Sequence, residues 1–130
     1  MKILNPGGWK RPSGYSNGIA AKGEMVFVSG TIGWDQEGRL PSGFADQMAQ
    51  LLDNTIAILA EAGAGPEHIV RMTWYVTDLD AYRSSLREIG AVYREKIGKN
   101  FPTMAVIGVS GLVESDALVE IETTAVIPDE

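Results

Sequence analysis

Apolar positions change their period several times along the chain, and each change marks an expected element. In "SNGIAAKGEMVFVSGTIGWDQEGRL", residues 16–40, the run MVFVSG is apolar and rich in β-branched and aromatic residues, so this segment reads as strands. Glycines in AKGE and DQEG mark its turns. The period then becomes helical in "FADQMAQLLDNTIAILAEAGAG". Phe44, Met48, Leu51, Leu52, Ile56 and Leu59 recur at spacings of three and four. Ser42 is placed to cap this helix, Asp46 suits its positive end, and Gly63, Gly65 and Pro66 stop it.

"HIVRMTWYVTD" returns to strand. "DLDAYRSSLREIGAVYREKIGK" predicts a second helix with Tyr82, Leu86, Ile89, Tyr93 and Ile97 on one stripe. Asp78 or Asp80 caps it, and Gly98 ends it with Lys96 and Lys99 near its negative end. "TMAVIGVSGL" and "ALVEIETTAVIP" are the last strands. The expected order is β-β-α-β-α-β-β in one domain over residues 1–130, an α+β sheet with two helices on one face. "MTWYVT" is apolar on both alternating sets, so both sheet faces call for cover. With helices on one face only, self-association is the simplest cover for the other.

Composition narrows the chemistry. The chain is 45% hydrophobic and 22% charged, as in a soluble globular protein. No apolar run is long enough for a membrane span, and none near the N-terminus suits a signal peptide, so a cytoplasmic location is expected. Cysteine is absent, which removes disulfides, thiolate catalysis and the usual zinc sites. His68 is the single histidine, so no multi-histidine metal site forms within one chain. With 11 scattered Lys and Arg and a net charge of −6, the chain is a poor partner for a phosphate backbone.

Several residues carry candidate chemistry beside a plainer reading. Glu120 and Glu122 share one strand face with Leu118 and Val126. They are either carboxylates in a partly apolar pocket, with pKa raised for proton transfer, or ordinary residues of a solvated face. Tyr15, in PSGYSNG, presents its ring and hydroxyl to a ligand or packs on the core. "SGTIGWD" offers the Ser29 and Thr31 hydroxyls, close backbone approach at Gly30 and Gly33, and the flat wall of Trp34. Its plainer reading is a bulged strand and turn. It has no nucleotide-loop spacing. His68 lacks a nucleophile elbow and reads as structural or surface. Arg11, Arg39 and Arg71 are the more interesting cations, because a small acidic substrate needs one, and spacing does not choose among them.

Six segments in order, "SGYSNG", "VFVSGTIGWD", "LLDNTIAILAEAG", "IVRMTWYVTDLDAY", "VYREKIGKNFPTMAV" and "VEIETTAV", resemble the Rid/YjgF family, also called L-PSP endoribonuclease-like or enamine/imine deaminase proteins. The resemblance runs from about Pro12 to Val126. It implies a chorismate-mutase-like α+β fold and a homotrimer whose sheets form a central barrel, with ligand clefts between subunits. It implies hydrolysis of reactive enamines or imines, such as 2-aminoacrylate, without a cofactor or metal. By the same resemblance Glu120 positions or activates water, Tyr15 places its ring in the cleft, and Ser29, Gly30 and Thr31 form its wall.

The chain departs from that pattern in "FPTMAV", where Met104 stands in the place of a carboxylate-binding arginine. Methionine is neutral and fills irregular apolar space. A charged hydrogen bond of the kind it cannot make contributes on the order of 1.5–3 kcal/mol, or roughly ten- to a few-hundred-fold in binding. The expectation is therefore a deaminase of a larger enamine or imine, aminomuconate-like, in a cleft made more apolar by Trp34 and Met104. The alternatives are a non-catalytic trimer that binds a small metabolite and, less favoured by charge, a ribonuclease or translation inhibitor.

Overall fold

A computed structural model of the chain describes residues 1–129. It contains strands β1 (Lys2–Leu4), β2 (Gly18–Ala20), β3 (Gly23–Thr31), β4 (Ile69–Val76), β5 (Thr103–Gly108) and β6 (Val119–Pro128). Helices α1 (Phe44–Glu61), α2 (Leu79–Ser84) and α3 (Leu86–Lys96) complete it, with a 3₁₀ turn at Pro66–His68. The main sheet runs β3-β6-β4-β5. β6 is antiparallel to both neighbours, while β4 and β5 are parallel and are joined through α2 and α3. β1 and β2 form a separate antiparallel pair.

The period-two pattern of β6 separates its faces. Val119, Ile121, Thr123 and Ala125 are buried, whereas Glu120, Glu122, Thr124 and Val126 lie opposite and less covered. Met72, Trp74 and Val76 of β4 join the buried side. Met48, Leu51, Leu52 and Leu59 of α1 close over it and are completely buried. Each such side chain contributes about 1.5–3 kcal/mol by leaving water.

Among the described residues, no element covers the other face fully. Phe27 is 71% exposed and Met25 56% exposed on the edge strand β3, and Ile107 is exposed on β5. These apolar side chains flank a central strip of Glu122, Thr124, Thr73 and Tyr75, on a sheet whose opposite side is already packed.

Local chemistry corrects three expectations. The N-cap of α1 is Gly43 in extended geometry, with no side-chain cap, rather than Ser42. The second helical segment is two helices, broken at Ser85 (φ −109°, ψ 12°). There Ser84 Oγ donates back to the Ala81 carbonyl and Ser85 N–H donates to Tyr82, so the serine pair competes with the helical ladder. The N-terminal β1–β2 pair was not foreseen. Other signals held. Asp78 accepts from Ala81 N–H at 3.1 Å as the cap of α2. Gly63 and Gly98, with φ of 75° and 86°, follow α1 and α3 in the left-handed region.

Candidate functional site

The residues singled out in the sequence fall into two groups at opposite edges of the main sheet. Gly30, Thr31, Trp34 and Glu120 line one groove of about 520 Å3 at the β3–β6 edge. The β3–β6 register shifts between Val28 and Thr31, so the expected bulge is present. It also serves the site. A Cβ at Gly30 would come within 2.8 Å of Glu120 Oε2, so the glycine allows the carboxylate to lie against the β3 backbone. The register shift and the close approach at Gly30 thus occur in the same stretch of SGTIGWD.

Helix α1 holds this groove in shape. Asn54 donates to the carbonyls of Ile32 (3.1 Å) and Trp34 (2.7 Å), and Gln50 orients Asn54 at 2.9 Å. Gly33 passes so close that a Cβ would sit 2.5 Å from the Gln47 carbonyl oxygen. Buried Gln47 donates to the Pro41 and Asp116 carbonyls and accepts from Leu118 N–H, tying both flanking loops to α1. Asp35 and Glu114 also line the groove, and no Lys, Arg or His is among its lining residues. The backbone N–H of Arg39 first, then that of Glu37, holds the Asp35 carboxyl below its ordinary value. The groove is thus negative.

The second group lies at the β5 edge. Ser16 Oγ donates to the Phe101 carbonyl, and Ser16 N–H donates to Pro102 at 3.0 Å. These bonds lay the Tyr15 segment beside FPTM, and Tyr15 keeps 42% of its surface exposed. Asn100 fixes the loop from behind, donating to Pro66 (2.7 Å) and Ile69 (3.1 Å). Met104 pairs in register with Met72 and packs against the core on the helix side. Tyr15 and Met104 line a cavity of about 510 Å3 between sheet and α3, and also border a larger one on the β1–β2 side.

These two groups cannot meet within one chain. Met104 is on β5 and aligns through Met72 with Thr123, whereas Glu120 is three residues along and two strands away. Strand spacing and rise put them on the order of 14 Å apart, with side chains on opposite faces.

The remaining candidates separate. Ser29 is exposed on β3 and lines none of these three cavities. Thr31 Oγ1 turns back to the Ser29 carbonyl at 2.8 Å. Glu122 accepts from the Tyr75 hydroxyl on the open face. Arg39 pairs with Glu37 at 3.2 Å and lines a different groove. Arg71 lines the larger cavity with Tyr15 and Met104, and Arg11 is exposed. His68 Nδ1 accepts from Gly65 N–H at 3.0 Å. The same nitrogen lies 3.6 Å from Glu67 Oε1. Among the described residues, no cluster of three or more metal-binding side chains occurs. No helix among the described residues is long and apolar enough to cross a membrane.

The family model described as Endoribonuclease L-PSP matches residues 10–127. The chain belongs to this family, also known as Rid/YjgF. A RutC family protein of Aquifex aeolicus is 39% identical over 113 residues, covering 86% of this chain and 87% of that one. TdcF of Escherichia coli, which bears the provisional name of a reactive intermediate deaminase, is 33% identical over 105 residues and 80% of each chain. Its crystal structure with bound serine superposes with a TM-score of 0.70, covering 98% of this chain and 99% of TdcF at 32% identity. YyfB of Yersinia pestis, a Rid family protein of unknown function, gives 0.84 at 28% identity over 97% of this chain and 98% of its own. The α+β fold of this Rid protein, with its mixed sheet and helices on one face, is that of these structures.

Sequence reasoning passed over two parts of the site. It placed Tyr82, Leu86, Ile89 and Tyr93 on one helical stripe, and they also wall the cavity beside Met104. It also passed over Gly90 and Arg94, which line the same cavity. An isolated glycine inside a helical pattern was the available signal.

Proposed function

We propose that this Rid protein hydrolyses a reactive enamine or imine in a cleft assembled between subunits of a homotrimer. The observation that carries the reading is the division of the site. Glu120, seated against Gly30 beside Trp34, lies at one sheet edge, and Tyr15 with Met104 lies at the other. A neighbouring subunit that covers the open face would bring one edge of each chain together. The exposed Phe27, Met25 and Ile107 supply the apolar surface for that contact.

In this cleft Glu120 handles protons. It delivers one to the enamine carbon, which creates the electrophilic iminium. It then takes one from the water that attacks the C=N carbon. Collapse of the carbinolamine releases the carbonyl product and ammonia, so iminium plus water becomes carbonyl plus ammonium with no redox partner. The backbone beside Gly30 and the Trp34 ring position the reacting group. Met104 leaves no cation at its own position, so 2-aminoacrylate is a poor substrate.

The test is an assay over a panel of imines and enamines generated in place. Wild type turns over at least one, and Glu120→Gln does not. Equal rates for the two would remove Glu120 from the mechanism. Mixed oligomers of Glu120→Gln and Tyr15→Ala chains test the shared cleft, because some clefts in them regain both intact halves. A mixture as inactive as its parents would show that the halves do not come from different subunits.

The neutral Met104 also supports a second reading, a trimer that binds a metabolite without turnover. A ligand retained through purification, with no imine hydrolysed, would select it.

A further inference from the structure

The cavity beside Met104 has a composition that the hydrolytic reading does not use. Tyr15, Trp74, Tyr82, Tyr93 and Phe101 supply aromatic walls to a space of about 510 Å3, within the usual size of a small-molecule site. The rings support one another. Trp74 meets Tyr82 edge to face at 6.4 Å, and Tyr93 stacks on Phe101 at 6.2 Å. The Tyr93 hydroxyl is committed to the Asn100 carbonyl at 2.7 Å. Trp74 is 3% exposed, yet its Nε1–H has no hydrogen-bond partner. This wall suits a flat apolar body larger than a three-carbon metabolite.

A cation stands at the same cavity. Arg94 lines it from α3 and makes no ion pair among the described residues. Gly90, one turn earlier, lines the cavity too. A Cβ at Gly90 would lie 3.2 Å from Arg94 Nη1. Helical side chains lean toward the preceding turn, so the guanidinium rests where a side chain at Gly90 would begin. A mid-helix glycine weakens α3 relative to alanine, and the notch it makes for Arg94 is a physical reason for it.

The geometry points to Arg94 as the anion-binding residue of this cleft, and to an aryl-bearing 2-imino acid as its substrate class. The inference rests on the imine-hydrolase reading for the reaction and on the cavity for the ligand. The aromatic ring of the substrate lies against Tyr82 and Phe101 at the cavity wall. The carboxylate stays at the mouth on Arg94, and C2=N faces outward beside Tyr15. Water adds at C2, the C–N bond breaks, and the products are an aryl 2-oxo acid and ammonia. Guanidinium suits this task because it offers a planar pair of donors to the carboxylate.

Phenylpyruvate, the product from a phenylalanine-derived imine, is the binding probe. Wild type is expected to bind it, Arg94→Gln at least tenfold more weakly, Gly90→Ala several-fold more weakly, and Arg94→Lys in between. In turnover, Arg94→Gln is expected to raise KM for the phenylalanine-derived imine with kcat nearly unchanged. The benzylamine-derived imine, which has no carboxylate, serves as control and should be insensitive to Arg94. Circular dichroism and melting check that α3 is intact. If Arg94→Gln leaves phenylpyruvate binding unchanged, or if Arg71→Gln takes the loss instead, the assignment is overturned even with Glu120-dependent hydrolysis intact. Tight, Arg94-dependent phenylpyruvate binding without hydrolysis of any imine would overturn the catalytic reading and leave the ligand assignment standing.

Discussion

At the β3–β6 edge, Glu120 shares its groove with Asp35 and Glu114 and with no basic lining residue. At the β5 edge, Met104 shares its cavity with aromatic rings and Arg94. The first surroundings suit proton transfer and repel an anion. The second suit an apolar body and have no carboxylate among their lining residues. Neither edge by itself combines a proton-transfer group with a place for an anionic, bulky imine. The chemical division follows the spatial one, which is why assembly is central to the functional proposal.

The largest expected effect breaks the first edge alone. Glu120→Gln keeps the shape of the side chain and removes its proton transfer, so kcat should fall by roughly 10²–10⁴ while phenylpyruvate affinity hardly changes. Steady-state kinetics beside equilibrium binding separates the two. Gly30→Ala acts on the same edge more gently. The new methyl moves the Glu120 carboxylate, whose flexible end gives way, so a loss of about ten- to a hundred-fold in kcat is expected with little change in melting temperature.

Met104→Arg makes the second edge able to bind a small anion directly. It should raise kcat/KM for 2-aminoacrylate about tenfold, read as ammonia release, and lower it for bulkier imines by filling their cavity. No gain would mean that neighbouring residues of the cleft have diverged as well. The smallest effect lies between the edges, on the open face. The hydrogen bond to Glu122 is the main reason the Tyr75 hydroxyl titrates above its ordinary 10.0. The raised value belongs to the folded state, so its contribution to stability is complete below about pH 10 and is lost as pH rises through the raised value. Wild type and Tyr75→Phe should therefore differ slightly in alkaline melts below that point and converge above it.

Much of the fold was legible because repeating patterns carry it. Alternation in VEIETTAV separates the buried Val119 and Ile121 from Glu120 and Glu122, and it does so whatever the strand pairs with. Local features that depend on a single competing bond were harder to read. Ser42 looked like a cap, but the extended Gly43 occupies that position with no side-chain bond. The Ser84–Ser85 break needed the back-bonds to Ala81 and Tyr82 to be seen. Ser29, grouped with Gly30 and Thr31 by adjacency, lies outside the three cavities because the bulge at this point of β3 alters the simple alternation.

By itself, the sequence determined the family, the two helical stripes and the apolar strands. All of these are written in residue type and period, which neighbouring residues carry along the chain. Only the tertiary structure decided that Glu120 and Met104 belong to opposite edges and faces, because strand order and register are set by contacts between distant segments. It alone decided that Arg94 and Arg71 each share a cavity with Met104, whereas Arg11 and Arg39 do not line either one. Gly90, one turn earlier than Arg94 on α3, lines the same cavity as Arg94.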